Sequence, residues 1–209
     1  MVSATEALAR LREGNRRFVC DMASLEAATC HARRLELLAG QQPFAVIIGC
    51  SDSRVPVEIV FDQGLGDLFV VRVAGNVVAS SQVGSVEFAA AKCGTRLVVV
   101  MGHTNCGAIL ATVEELERPT EVYSPNLSSI VDRIRPAVEE LFSPDIEIDR
   151  EALIRHATRA NVRSAADHLR HGSAILERLI EEEGLLVVGA EYCLEKGTVE
   201  FFDGLPEAG

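Results

Sequence analysis

PFAVIIGCSDSR, residues 43–54, passes from an unbroken apolar run directly into Cys50, Asp52 and Arg54. Phe44–Ile48 does not alternate with polar residues, which suits a strand covered on both faces, as in a parallel sheet. Leu68–Val71, Leu97–Met101 and Leu185–Val188 have the same character. Ser81–Lys92 is rich in helix formers and long enough for a crossover between the second and third runs. Asn126–Glu183 is a long helical region before the fourth run, interrupted at Asp145–Ile148. Gly197–Phe202 reads as an edge strand. The alternation predicts an α/β fold, a mainly parallel sheet of four or five strands flanked by helices.

Upstream, residues 3–19 place Ala7, Leu8, Leu11 and Phe18 at helical spacing. A second helical stretch covers Ser24–Leu38, with Gly40 to end it and Pro43 to open the next element. The expected organisation is one domain over 1–209, with a helical arm at 1–40 and an α/β core at 41–209. The chain has 209 residues and a net charge of −11. Such acidity excludes a polyanion-binding role, because nucleic-acid affinity rests on Lys and Arg neutralising phosphates. No apolar stretch reaches the length of a membrane span. The N-terminus lacks the apolar core of a signal peptide, so a cytoplasmic location is expected. Six cysteines then read as reduced thiols or metal ligands rather than disulfides.

LVVVMGHTNC, residues 97–106, repeats the design of the opening stretch: an apolar run, a glycine, then a polar group, here His103-Thr104-Asn105-Cys106. Sites in open parallel sheets collect at the carboxyl ends of strands, so Cys50, His103 and Cys106 can converge. Two thiolates and an imidazole suit tetrahedral zinc, one ion per chain, and three protein ligands leave the fourth position that catalytic zinc uses. Cys20, Cys30, Cys93 and Cys193 lack such context and read as small buried hydrophobes. His31, His156, His168 and His171 read as solvated or half-buried helix residues.

Cys50-x-Asp52-x-Arg54 followed by His103-x-x-Cys106 resembles the β-class carbonic anhydrases of bacterial type. Phe61–Asn76, Gly84–Ala89 and Gly189-Ala190…Tyr192-x-Leu194…Gly197-x-Val199-x-Phe201 are similar to family segments in the same order, and the resemblance covers roughly residues 3–203. It implies the β-carbonic anhydrase fold, zinc on Cys50, His103 and Cys106, and an Asp52–Arg54 catalytic dyad. It further implies a Gln41 that reaches the site across a dimer interface, and Phe69 and Ala74 along an apolar substrate cleft. Gly107 would let the next helix begin close to the metal. The implied assembly is a dimer that can pair into a tetramer. Phe88 stands where the family has a tyrosine. Arg72 and Tyr192 match two positions of a non-catalytic bicarbonate site, but the family's tryptophan there is Ile47, so structural roles are expected for both.

The implied reaction is reversible hydration of carbon dioxide to bicarbonate and a proton, by attack of zinc-bound hydroxide. Two thiolates donate more charge than imidazoles and weaken the acidification of zinc-bound water, so other groups must stabilise the hydroxide. Asp52 would accept its hydrogen bond while Arg54 holds Asp52 bidentately. Released from Arg54, Asp52 would become a fourth zinc ligand and close the site, a state the family shows. Lower pH favours closure, so activity is expected to rise steeply with pH.

Overall fold

A computed structural model describes residues 2–23, 31–119, 124–142 and 148–206. Residues 24–30 of the expected second helix, and 145–147 of the expected interruption, lie outside the described residues.

α1 (Ala4–Val19) starts where Ser3 accepts a hydrogen bond from the Glu6 amide at 3.2 Å, a side-chain N-cap. Its Ala7, Leu8 and Leu11 are buried in one cluster with Ile47, Val99 and Ala190 of the sheet. α2 (His31–Glu36) and a short turn (Leu37–Ala39) lead to Gly40. The remaining elements are β1 (Ala45–Gly49), α3 (Val57–Val60), β2 (Leu68–Arg72), α4 (Ser80–Lys92), β3 (Leu97–His103) and α5 (Gly107–Glu117). α6 (Pro125–Glu139), α7 (Arg150–His171), α8 (Ala174–Glu183), β4 (Leu186–Tyr192) and β5 (Val199–Asp203) complete the chain.

The strands form one five-stranded sheet in the order β2-β1-β3-β4-β5. The first four are parallel, and β5 is the antiparallel edge. Three clusters hold the layers. α1, α3 and Phe61 cover one face of the sheet, and α4, α7 and α8 cover the other. α5, α6 and α7 enclose a third cluster at the carboxyl ends of the strands, and Cys50 and Cys106 belong to it. Fully burying one Val, Ile or Leu side chain is worth about 1.5–3 kcal/mol. Every residue of β1 and β3 is buried, so these two strands anchor the fold. α7 lies close on the sheet because Gly102 has no side chain there: a Cβ would meet Val162 Cγ2 at 2.7 Å.

β2 departs from the expectation of cover on both faces. Leu68–Val71 are only half-buried. β2 is the outer strand next to β1, with nothing paired on its far side among the described residues. The apolar run therefore marks an edge here rather than an interior strand. The long helical region divides into α6, α7 and α8, with α7 capped by Asp149 through the Ala152 amide at 2.7 Å. α8 is capped by Ser173 and ends at Gly184, which has a left-handed backbone (φ 69°).

Candidate metal centre

β1 and β3 are adjacent and parallel, with Gly49 opposite Met101. Cys50 leaves the end of β1, His103 is the last residue of β3, and Cys106 is the N-cap of α5. The sheet thus delivers all three side chains to one place. Their ligand atoms lie within 4.8 Å of one another, and the two sulfurs are 4.0 Å apart. All three residues are buried.

The histidine carries the clearest chemical signal. Its Nδ1 is 2.9 Å from the Thr104 carbonyl oxygen. A carbonyl only accepts, so Nδ1 bears the proton and Nε2 presents a lone pair. Nε2 is buried and has no hydrogen-bond partner. Leaving such a group unsatisfied costs about 1–3 kcal/mol. A cation between Nε2 and the two sulfurs removes that cost. Two buried sulfurs and one imidazole nitrogen are donors that zinc favours, and they leave one tetrahedral position free.

The thiols point the same way. The Cys106 hydrogen bond holds Cys50 well below the usual thiol range, and the same bond together with burial pushes Cys106 up. Two adjacent thiolates in an apolar cluster repel. A divalent ion neutralises both.

Asp52 and Arg54 form a two-pronged pair. Arg54 Nε donates to Asp52 Oδ1 at 2.9 Å and Nη2 to Oδ2 at 2.7 Å, while the Arg54 amide donates to Oδ1 at 2.9 Å. Arg54 holds the Asp52 carboxyl well below the usual carboxylate range. Asp52 Oδ2 is 3.9 Å from His103 Nε2, so this carboxylate borders the space between the three ligands.

Three supports hold the site from outside the ligand loops, and the first gives Arg72 the structural role expected of it. Arg72 donates from Nε to the Cys50 carbonyl at 3.0 Å and from Nη2 to the Asp52 carbonyl at 2.6 Å. The Gly75 amide lies 3.4 Å from Cys50 Sγ. Asn161 Nδ2 donates to the Gly75 carbonyl at 2.8 Å. The hint available for the second was the glycine itself, whose φ of 66° is unfavourable for other residues.

The other expected residues are more dispersed. Ala74 opens the turn that carries Gly75 beside Cys50. Phe69 is half-buried on β2, with its ring 6.2 Å from that of the exposed Phe88. Gly107 begins α5, yet a Cβ there would meet nothing within 4 Å, so within one chain no steric demand for glycine exists. Gln41 is exposed before β1, and no hydrogen bond among the described residues joins it to the cluster. Ile47 is fully buried in β1, and the Tyr192 carbonyl accepts from the Thr104 amide at 3.0 Å. Cys20 is exposed in the turn after α1, and Cys93 and Cys193 are half-buried. The reading of these three as buried hydrophobes is thus corrected: each follows a helix or strand end, where cover is incomplete. Cys30 lies outside the described residues. His31, His156, His168 and His171 are exposed on helices.

The chain matches the sequence family described as "Carbonic anhydrase" over residues 45–199. It is 36% identical to the carbonic anhydrase of Mycolicibacterium smegmatis over 95% of this chain and 93% of that protein. It is 38% identical to carbonic anhydrase 2 of Mycobacterium tuberculosis, again over 95% of this chain and 93% of the relative. Among solved structures, a β-carbonic anhydrase of Aspergillus fumigatus superposes with a TM-score of 0.74 at 25% identity, over 97% of this chain and 91% of that one. A structure from a study of two tetrameric β-carbonic anhydrases of Sordaria macrospora shares the fold, with a TM-score of 0.73 at 22% identity over 81% and 85% of the two chains.

Proposed function

The chain belongs to the β-carbonic anhydrase family, and from that premise we propose that it hydrates carbon dioxide reversibly to bicarbonate and a proton at a zinc ion held by Cys50 Sγ, His103 Nε2 and Cys106 Sγ. The observation that carries the proposal is the buried, unpartnered Nε2 of His103 facing two sulfurs. When bound, zinc supplies Lewis acidity that makes water nucleophilic near neutral pH.

The chain's own groups complete the chemistry. Asp52 is kept ionised by Arg54, so it is an acceptor only. It accepts a hydrogen bond from the attacking water and aims that water's lone pair at the substrate carbon. Arg54 keeps Asp52 from turning towards the ligand set and taking the open position itself. Its Nη2 also donates to the Asn105 carbonyl at 3.2 Å, which ties the dyad to the loop that carries Cys106. Phe69 and Ala74 line the apolar approach for carbon dioxide, and Gly107 lies at the start of α5 beside it.

A second copy of the chain forms part of the same proposal. Half-buried Leu68–Val71 and exposed Phe88 give one apolar edge that a partner would cover. Gln41 of the partner subunit would then reach the site, and dimers would pair into tetramers. The domain reading is one unit over 1–209, with 1–40 as the helical arm and 41–209 as the zinc core. No described helix is long and apolar enough to cross a membrane. A cytoplasmic location fits the five free thiols among the described residues.

The test is carbon dioxide hydration by stopped flow on protein with one zinc per chain confirmed. The pH is about 8.5, well above the pKa of about 7 that a three-histidine zinc site gives its water, because two thiolates weaken that acidification. Fast hydration that disappears in Cys106→Ala, together with the bound zinc, is the expected result. Zinc-loaded, folded protein with no activity above buffer contradicts the proposal.

A further inference from the structure

We propose that Asn161, on α7 and remote in sequence from the ligands, is a positioning residue that sets the hydrogen bond received by the Cys50 sulfur. Asn161 is 3% exposed, and its Nδ2 donates to the Gly75 carbonyl at 2.8 Å. Gly75 in turn presents its amide to Cys50 Sγ at 3.4 Å. The turn between these bonds has a left-handed glycine, φ 66°, a conformation that glycine adopts without strain and other residues rarely do. A Cβ at Gly75 would sit 2.8 Å from Ile134 Cδ1 and 2.9 Å from Ala108 Cβ, so the turn is wedged between α5 and α6 on one side. Asn161 secures it from α7 on the other. The direction of the Gly75 amide is therefore decided by three helices together, and Asn161 supplies the polar contact from α7.

The consequence falls on the sulfur. A thiolate that receives an N–H bond has its lone pair lowered in energy and donates less charge to a metal; hydrogen bonds to sulfur tune metal–thiolate centres generally. A site with two thiolates has charge to spare, and the opposing Cys106 draws on the α5 N-terminus. Cys50 follows β1 rather than opening a helix, so its N–H contacts come from the loop amides of Asp52 and Gly75 instead, and Gly75 is the one held from α7. Asn161 thus adjusts the metal's Lewis acidity without touching metal or substrate.

This inference rests on the proposed ligand role of Cys50, and the experiment separates the two. Wild type, Asn161→Ala, Asn161→Ser and, as a packing control on the same helix, Leu169→Ala are loaded with cobalt(II). The thiolate-to-cobalt absorption band is recorded, with competitive metal affinity alongside. The expected result is a band displaced to longer wavelength in both Asn161 variants, with kcat/KM lowered about tenfold or more as the metal loses Lewis acidity. KM should change less than kcat. Leu169→Ala, which loses fully buried core packing, should lose stability without moving the band. Asn161→Ser is the smaller perturbation if Asn161→Ala does not fold. An unmoved band in a folded Asn161 variant overturns the inference while leaving the zinc site standing. Absence of a thiolate band in wild type overturns the ligand reading itself.

Discussion

The two loops that supply the metal ligands are held by different means. The loop after β1 is tied by side chains: Arg72, from β2, grips the carbonyls of Cys50 and Asp52, and Arg54, within the loop itself, grips the Asp52 carboxylate. The loop after β3 is tied by the sheet. His103 is paired in register with Tyr192, the Thr104 amide bonds to the Tyr192 carbonyl, and Thr104 Oγ1 accepts from the Leu194 amide at 3.0 Å. One ligand set is thus half adjustable and half rigid. The adjustable half carries the carboxylate that borders the reacting position, and the rigid half carries the imidazole.

This asymmetry predicts unequal sensitivity. The largest effect belongs to Asp52→Asn, which keeps shape but removes the strong acceptor. It should lower kcat by about a hundredfold or more while zinc content stays at wild-type level. Stopped flow and metal analysis on one preparation decide this, and a loss of less than tenfold would remove Asp52 from the mechanism. Next comes Arg72→Ala against Thr104→Ala. Freeing the first loop should cost about 10–100-fold in activity or metal affinity. Thr104→Ala gives up one hydrogen bond, about 1 kcal/mol of stability, with kcat/KM within a few-fold of wild type. Equal losses in the two variants would abolish the distinction between the loops.

The smallest effect is on stability. Asp52 titrates below its ordinary value of about 3.9, so its pairing with Arg54 stabilises the native chain above that pH. The contribution fades as pH falls through the lower native value. Because Arg54 is more than half exposed, the contribution is modest. The difference in melting temperature between metal-free wild type and Asp52→Asn should be constant from about pH 5 to 8 and shrink below about pH 3. A difference that grows on acidification would contradict the pairing.

Much of this arrangement was legible from residues close together in the chain. Phe44–Ile48 and Leu97–Met101 announced buried strands, and the polar groups that follow them sit at the strand ends where a parallel sheet gathers its sites. A structural role was legible for Arg72, but the atoms that Arg72, Gly75 and Asn161 hold were not, for a shared reason. Their partners are backbone atoms or sulfur brought near by the fold, and asparagine or arginine on a helix or strand has no pattern that distinguishes it from a solvated neighbour. β2 misled for the opposite reason: its apolar run has the composition of an interior strand, but its position leaves one edge open. Gly107 was expected to let α5 begin close to the metal, and the chain's own described atoms leave room there for a side chain.

The hydrogen bond from His103 Nδ1 to the Thr104 carbonyl has one further consequence. It freezes the imidazole rotor and its tautomer when the chain folds, before any ion arrives. The entropy of ordering that ring, of the order of the side-chain losses that accompany burial, is therefore charged to folding and not to metal capture. In a small zinc module the two events are one, because the ion must organise its own ligands. Here the cradle stands on a large apolar core, and loading becomes an ordinary binding equilibrium whose gain in stability grows only with the logarithm of free zinc.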